Sequence, residues 1–389
     1  MEKRMEDKII QGLTYEAVDL LKEMIAIPSP SFHEDQVCSH ISDWLASKGV
    51  EHERIGNNII AEHVVDPSKP TLMLCAHIDT VSPCEGYTFD PYKPENCPEG
   101  MIQGLGSNDD GASVVSMIAA YRYLSIKSFA QDDRGKDCHV ADAPRNDVTG
   151  NTNLTLALTC EEERSGKDGM TGLWGKRLDK IDYAIVGEPT GMTAATSERG
   201  LLVIDATAHG VSGHAARNEG KNALYIALED IEKLRRHEFI KVSPRMGKVN
   251  LNVTQISAGS AHNVIPDRCG FVIDIRPTEQ YTNEEILQEL QEICQSELKP
   301  RNLANRSSAT HEGSPLQKTA EKLGIDTFSS ATTSDWMRIT CDAIKMGPGD
   351  SARSHRKDEF VTVEEVKEGI EKYIRFIRSL DFARDDRSE

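Results

Sequence analysis

A chain of 389 residues with 63 acidic against 45 basic side chains carries a formal charge of −18 and no clustering of Lys and Arg, which excludes a nucleic-acid partner. The length allows one or two sizeable cores, with two domains as the default. Nine scattered cysteines, an odd number with no C-x-x-C pair, fit neither a disulfide framework nor a structural zinc knuckle and read as reduced thiols.

The first 24 residues, "MEKRMEDKIIQGLTYEAVDLLKEM", mix charges through an amphipathic pattern without a signal-type apolar stretch, and no later run reaches membrane-spanning length. A soluble, cytoplasmic protein without a membrane partner is expected. Apolar periodicity predicts helices over 13–26 and 35–48, then strands over 58–65 ("NIIAEHVV") and 71–77 ("TLMLCAH"). A helix over 110–124 opens on acidic residues that suit its N-terminus. The polar stretch around 127–150 has no periodicity and reads as a surface insertion or a mobile loop. Strands follow over 153–160 ("NLTLALTC") and 182–188 ("DYAIVGE"), and the alternation is that of an α/β sheet.

From about 199 the pattern becomes strand, helix, strand, strand, helix: "RGLLVIDATAHGVSG", an apolar-periodic segment over 221–236, "KVNLNVTQISAG", "CGFVIDIRP" and a helical stretch over 283–298. Such a unit has its own hydrophobic face, so 199–309 is expected to be an inserted α+β domain within a first domain made of 1–198 and 310–389. The linker "KPRNLANRSSATHEGSP" returns the chain to a strand over 342–349 and a closing helix over 363–380.

Polar residues fall where the apolar runs stop. His77 ends one run, with Asp79 two residues beyond it; Glu161, Glu162 and Glu163 end a second; Glu188 ends a third. Asp109 and Asp110 sit at a Gly-rich turn, and His355 follows the last strand. Singly, each has a plain alternative: a structural histidine, a solvated acidic face, a helix cap, a turn residue. Jointly they point to a site, because ligands in open α/β sheets bind beyond the carboxyl ends of strands. Two histidines with several carboxylates form a mixed N/O set suited to zinc, with cobalt or manganese as alternatives.

The ordered set "HIDTV", "GLGSNDDG", "CEEERS", "VGEPT", "GVSGHAA", "NVIPD", "DIRP" and "GPGDSARSHRKDEF" resembles the dinuclear zinc deacylase and peptidase family. That family includes acetylornithine deacetylase, succinyl-diaminopimelate desuccinylase, aminoacylase and the glutamate-releasing carboxypeptidase. The resemblance runs from about 13 to 380. It implies a zinc-peptidase-like catalytic domain with a mixed central sheet flanked by helices, and an inserted lid and dimerisation domain that makes the protein a homodimer.

By resemblance, Asp109 bridges two divalent ions, His77 and Glu188 complete one ion's ligands, and Glu163 and His355 the other's. Glu162 is then the general base, and Asp79 orients His77. Glu161 reads as a solvated or supporting acid. His214 matches a histidine that reaches the partner subunit's site and stabilises an oxyanion, and Asn263 and Arg276 match residues that hold the substrate carboxylate. Two departures bear on substrate contacts: no lysine precedes Gly111, and "HAARNEG" lacks the Ser and Pro common after the lid histidine.

The expected activity is hydrolysis of the amide of an N-acyl amino acid, N-acetyl- or N-succinyl-ornithine-like, in arginine biosynthesis. "MGPGDSARSH" and "VGEPT" look closest to the acetylornithine deacetylase branch. A dipeptidase or carboxypeptidase of the same family is the alternative. Outside the class stand a cysteine hydrolase using Cys75 or Cys160 and a metal-binding protein without catalysis.

Overall fold

The structure is a computed structural model that describes residues 2–94, 97–125, 152–217 and 219–380, together with a two-strand ladder pairing Ala130–Gln131 with Asp137–Cys138. The rest of the polar stretch at 127–150 lies outside the described residues. Two compact units emerge. The first holds the described residues up to Thr196, Thr310–Phe328 and the chain from Ser334 onward; the second holds Ser197–Ala309 and Ser329–Thr333.

The first unit is built on a mixed sheet in the order Glu53–Ile55, Asn58–His63, Asn153–Thr159, Thr71–His77, Tyr183–Val186, Asp342–Lys345, with Ala195 pairing Lys345 beyond. The four strands Asn153–Thr159, Thr71–His77, Tyr183–Val186 and Asp342–Lys345 run parallel to one another. Every residue of Asn153–Thr159 is buried, as is expected of a strand covered on both faces. Alternation splits them: Leu72, Leu74 and Ala76 face the helices Glu2–Ile25, Ala112–Ser125 and Val363–Ser379, while Met73 and Cys75 face a smaller cluster around Met170, Leu173 and Trp336. The parallel strands therefore finish on one edge of the sheet, with His77, Glu161–Glu163, Glu188 and His355 beyond their ends.

The second unit is a four-stranded antiparallel sheet in the order Asn250–Ala258, Arg268–Arg276, Leu202–His209, Glu297–Pro300. Its inward residues Leu202, Ile204, Ala206, Phe271, Ile273 and Ile275 pack on the helices Ala223–Arg236 and Asn283–Ile293. Ser329–Thr333 joins this unit through Ser197 and Arg199, although the sequence reading runs the first domain through 310–389 without a break; the Ser197 and Ser329 hydroxyls are 2.9 Å apart.

Two helix expectations need correction. The first helix begins at Glu2, not near 13, because the charged opening contains no breaker and Glu6 is anchored by Tyr123 and Arg378. The helix expected over 283–298 ends at Ile293, and Glu297–Pro300 is an edge strand. The buried Asp230 carboxylate ends it, accepting the Gln295 and Ser296 amides at 2.9 and 2.8 Å before the chain turns. Among the described residues, no helix is long and apolar enough to cross a membrane.

Candidate metal centre

His77 is buried at the end of its strand, and its ring is fixed from both sides. Nδ1 lies 3.0 Å from the Asp79 backbone carbonyl, which can only accept, so Nδ1 carries a proton and Nε2 is the nitrogen turned inward. Nε2 is 3.2 Å from Asp109 Oδ1. The Asp79 carboxylate is 3.5 Å from Nδ1 and spends its oxygens elsewhere: Oδ1 accepts the Glu162 amide at 3.0 Å, and Oδ2 accepts the Glu163 amide at 3.1 Å and the Ser31 hydroxyl at 2.7 Å. One short side chain thus ties the histidine strand to the acidic turn.

Asp109 stands between two histidines, with Oδ2 3.6 Å from His355 Nε2. His355 Nε2 is also 3.0 Å from Glu163 Oε2. Donor atoms of His77, Glu162 and Glu188 lie within 4.8 Å of one another, and so do those of His77, Asp109 and Glu163. The structure therefore brings together His77, Asp79, Asp109, Glu162, Glu163, Glu188 and His355. Glu161 does not join them: its Oε2 turns back to accept the Asp168 amide at 3.0 Å, and a Cβ at Gly166 would meet that oxygen at 2.0 Å.

The electrostatics suit a cation. Burial pushes the Glu162 carboxyl well above its ordinary range, and the like charges of Glu188 and Asp335 push it further. Burial does the same to Glu188, opposed by the buried Lys345 ammonium. Burial pulls the His77 imidazole down, but Asp109 and Asp79 outweigh it and hold it well above the usual range. With five carboxylates gathered on two imidazoles, the residues present fit two divalent ions of the zinc, cobalt or manganese type.

Three supporting groups carried no usable signal in the sequence. Glu359 is buried, and its Oε1 accepts the Asn108 and Asp109 amides at 2.9 and 3.0 Å, holding the turn that presents Asp109. Asp335 accepts the Thr159 hydroxyl at 2.7 Å behind the strand end. Glu34 accepts the Glu161 amide at 3.2 Å. Each lies in a loop or beside a helix start, where an acid is ordinary, and its partner is distant in sequence. Burial lifts both Cys75 and Cys160, so neither is a poised thiolate.

In the second unit, His214 and Asn263 adjoin on a small ribbon: Gly213–His214 pairs with Val264–Ile265, and the Ala215 amide donates to the Asn263 carbonyl at 3.0 Å. His214 is exposed. Arg276 ends its strand at the opposite end from Arg268, with its guanidinium 2.9 Å from Asp274 Oδ1.

Stability without metal is expected to fall as pH rises. Burial lifts Glu359 from 4.5 to about 7, and the hydrogen bond to Glu163 lifts His355 from 6.5 to about 9. Both groups bind protons more tightly in the folded chain. The Glu359 contribution is full below about 4.5 and gone above about 7; that of His355 is full below about 6.5 and gone above about 9. Melting of chelated protein at pH 5.5 and 9 checks this; a higher Tm at pH 9 contradicts it. Saturating metal displaces protons from its ligands and should remove the decline.

Two family models match the chain: the peptidase dimerisation domain M20_dimer over residues 196–302, and peptidase family M28 over 58–175. The succinyl-diaminopimelate desuccinylase of Wolbachia pipientis subsp. Culex pipiens is 25% identical, the match covering 93% of this chain and 92% of that one. Among solved structures, aminopeptidase PepT from Bacillus cereus superposes with a TM-score of 0.72 at 18% identity, over 94% of this chain and 98% of its own. The Bacillus subtilis YxeP protein, described as a dinuclear metal-binding peptidase of the M20 family, gives 0.69 at 14% identity, over 95% and 98%. These two share the fold.

Proposed function

We infer that this chain, a member of the M20 peptidase family carrying that family's dimerisation domain, is a metal-dependent amide hydrolase whose substrate is a small N-acyl amino acid. The observation that carries the reading is Asp109, poised between His77 and His355 with Glu162 and Glu163 alongside. His77, Asp109, Glu163, Glu188 and His355 would hold two divalent ions, zinc by preference. Ions so held acidify water and polarise a carbonyl.

Glu162 takes the proton of the attacking water and delivers it to the departing amine, a double role that needs a carboxyl whose proton affinity is raised, as this one's is. Asp79 keeps the Glu162 and Glu163 amides in register with His77. By the resemblance, His214 reaches the partner subunit's site and donates to the oxyanion there, and Asn263 and Arg276 hold the substrate carboxylate, Arg276 exchanging Asp274 for it.

For the acyl group, the N-succinyl substrate in the name of the Wolbachia relative stands beside N-acetyl, with ornithine or a related diamino acid as the amine and arginine biosynthesis in the cytoplasm as the setting. The structural neighbours described as peptidases favour a second reading, cleavage of a small peptide.

The test is amine release from N-acetyl and N-succinyl amino acids and dipeptides. Release that peaks on an acylated diamino acid supports the first reading, and cleavage of dipeptides alone supports the second. Light scattering is expected to give twice the mass of the chain, as the dimerisation domain implies; a monomer at micromolar concentration speaks against the role given to His214.

A further inference from the structure

The turn that carries Glu162 and Glu163 is held by its backbone. Its three successive amides all donate to carboxylates from the first 80 residues: Glu161 to Glu34 Oε1, and Glu162 and Glu163 to Asp79. Glu34 is fully buried, and its Oε1 also accepts the Phe32 amide at 2.7 Å while its Oε2 accepts Asn57 Nδ2 at 3.3 Å. It immediately precedes the helix Asp35–Ser47, yet its side chain makes no capping bond to that helix. It reaches instead across 127 positions of sequence to Glu161.

The two amides that share Glu34 Oε1 belong to residues with left-handed backbones, Phe32 at φ 74 and Glu161 at φ 60. L side chains avoid that region, and a bulky residue such as phenylalanine stays there only when its surroundings over-determine it. At Glu161 the left-handed step redirects the chain just before the two acids that face the metal centre. Were that step to relax, the side chains of Glu162 and Glu163 would swing away from His77 and His355.

Resting on the hydrolase reading above, we propose that Glu34 is a positioning residue for the reaction: its buried acceptor oxygen keeps Glu161 left-handed and so sets the aim of Glu162. The work is done by the position of the acceptor and not by its charge. Glutamine, whose amide oxygen can accept both N–H groups, should therefore replace it, and alanine should not.

The experiment compares Glu34→Gln and Glu34→Ala with the wild type on the substrate the wild type turns over fastest, with kcat, KM and bound metal measured for each. Glu34→Gln is expected within about 3-fold of wild-type kcat and Glu34→Ala about 100-fold below it, the scale of a misplacement of about 1 Å, with KM and metal content little changed. Wild-type kcat in Glu34→Ala, or a Glu34→Gln as slow as Glu34→Ala, overturns the proposal. Should the alanine variant not fold, Glu34→Asp keeps the charge and withdraws the acceptor by one methylene. It is expected to be slower than Glu34→Gln, and the reverse order overturns the proposal.

Hydrogen exchange at the Phe32 and Glu161 amides needs no substrate. Both should be protected in the wild type and in Glu34→Gln, and both released in Glu34→Ala or Glu34→Asp. A wild type that hydrolyses nothing yet shows this exchange pattern sinks the hydrolase reading and leaves the clamp standing.

Discussion

Replacing Glu162 by alanine is expected to lower kcat by about 10²- to 10⁴-fold, the usual contribution of a positioned general base, while both metal ions stay bound. The side chain is half-buried, and its carboxyl is lifted by burial and by the charges of Glu188 and Asp335. A group so raised can take a proton from water and return it to an amine, whereas an ordinary surface glutamate would be too weak a base. Its oxygen also lies within 4.8 Å of the His77 and Glu188 donors, so the metal measurement matters as much as the rate. Loss of an ion along with the rate would make Glu162 a ligand, and unchanged hydrolysis would remove it from the mechanism.

Chelation is expected to abolish turnover and lower Tm, and zinc to restore both. Asp79, Asp109, Glu162, Glu163 and Glu188 crowd around His77 and His355, and without cations the burial of Glu162 and Glu188 is tolerated only by holding protons. An ion at about 1,000 times its dissociation constant stabilises the folded chain by about 4 kcal/mol, and two ions add independently if their sites do not interact. The check is a titration of chelated protein with zinc, cobalt and manganese, following Tm and amine release together. Full activity in protein shown by elemental analysis to be metal-free would end the metallohydrolase reading.

The gathering of His77, Glu162, Glu163 and Glu188 was legible because each lies where an apolar run stops, whereas Asp109, at a Gly-rich turn, and His355, in a loop, were marked by the family resemblance. "TLMLCAH", "NLTLALTC" and "DYAIVGE" are strands by composition, and the polar residue that stops each one lies at the sheet's carboxyl edge. Glu161 illustrates the limit. By residue type it matches its two neighbours, and the resemblance sets it aside as a supporting acid; its left-handed φ and its bond to the Asp168 amide are what turn it away from the metal centre. The end of the helix at Ile293 was hidden for a similar reason, since the carboxylate that stops it belongs to Asp230 on another helix.

The sequence by itself determined the four parallel strands of the first unit and which chemistry gathers beyond them, because hydrophobic periodicity and the residue that interrupts it are local properties of the chain. Only the tertiary structure decided how those groups are held: Asp79 spanning His77 and the acidic turn, Glu359 gripping the Asp109 turn, Glu34 joining two left-handed residues. A buried carboxylate takes its role from the amides that surround it, and those come from segments that folding alone brings within hydrogen-bond distance.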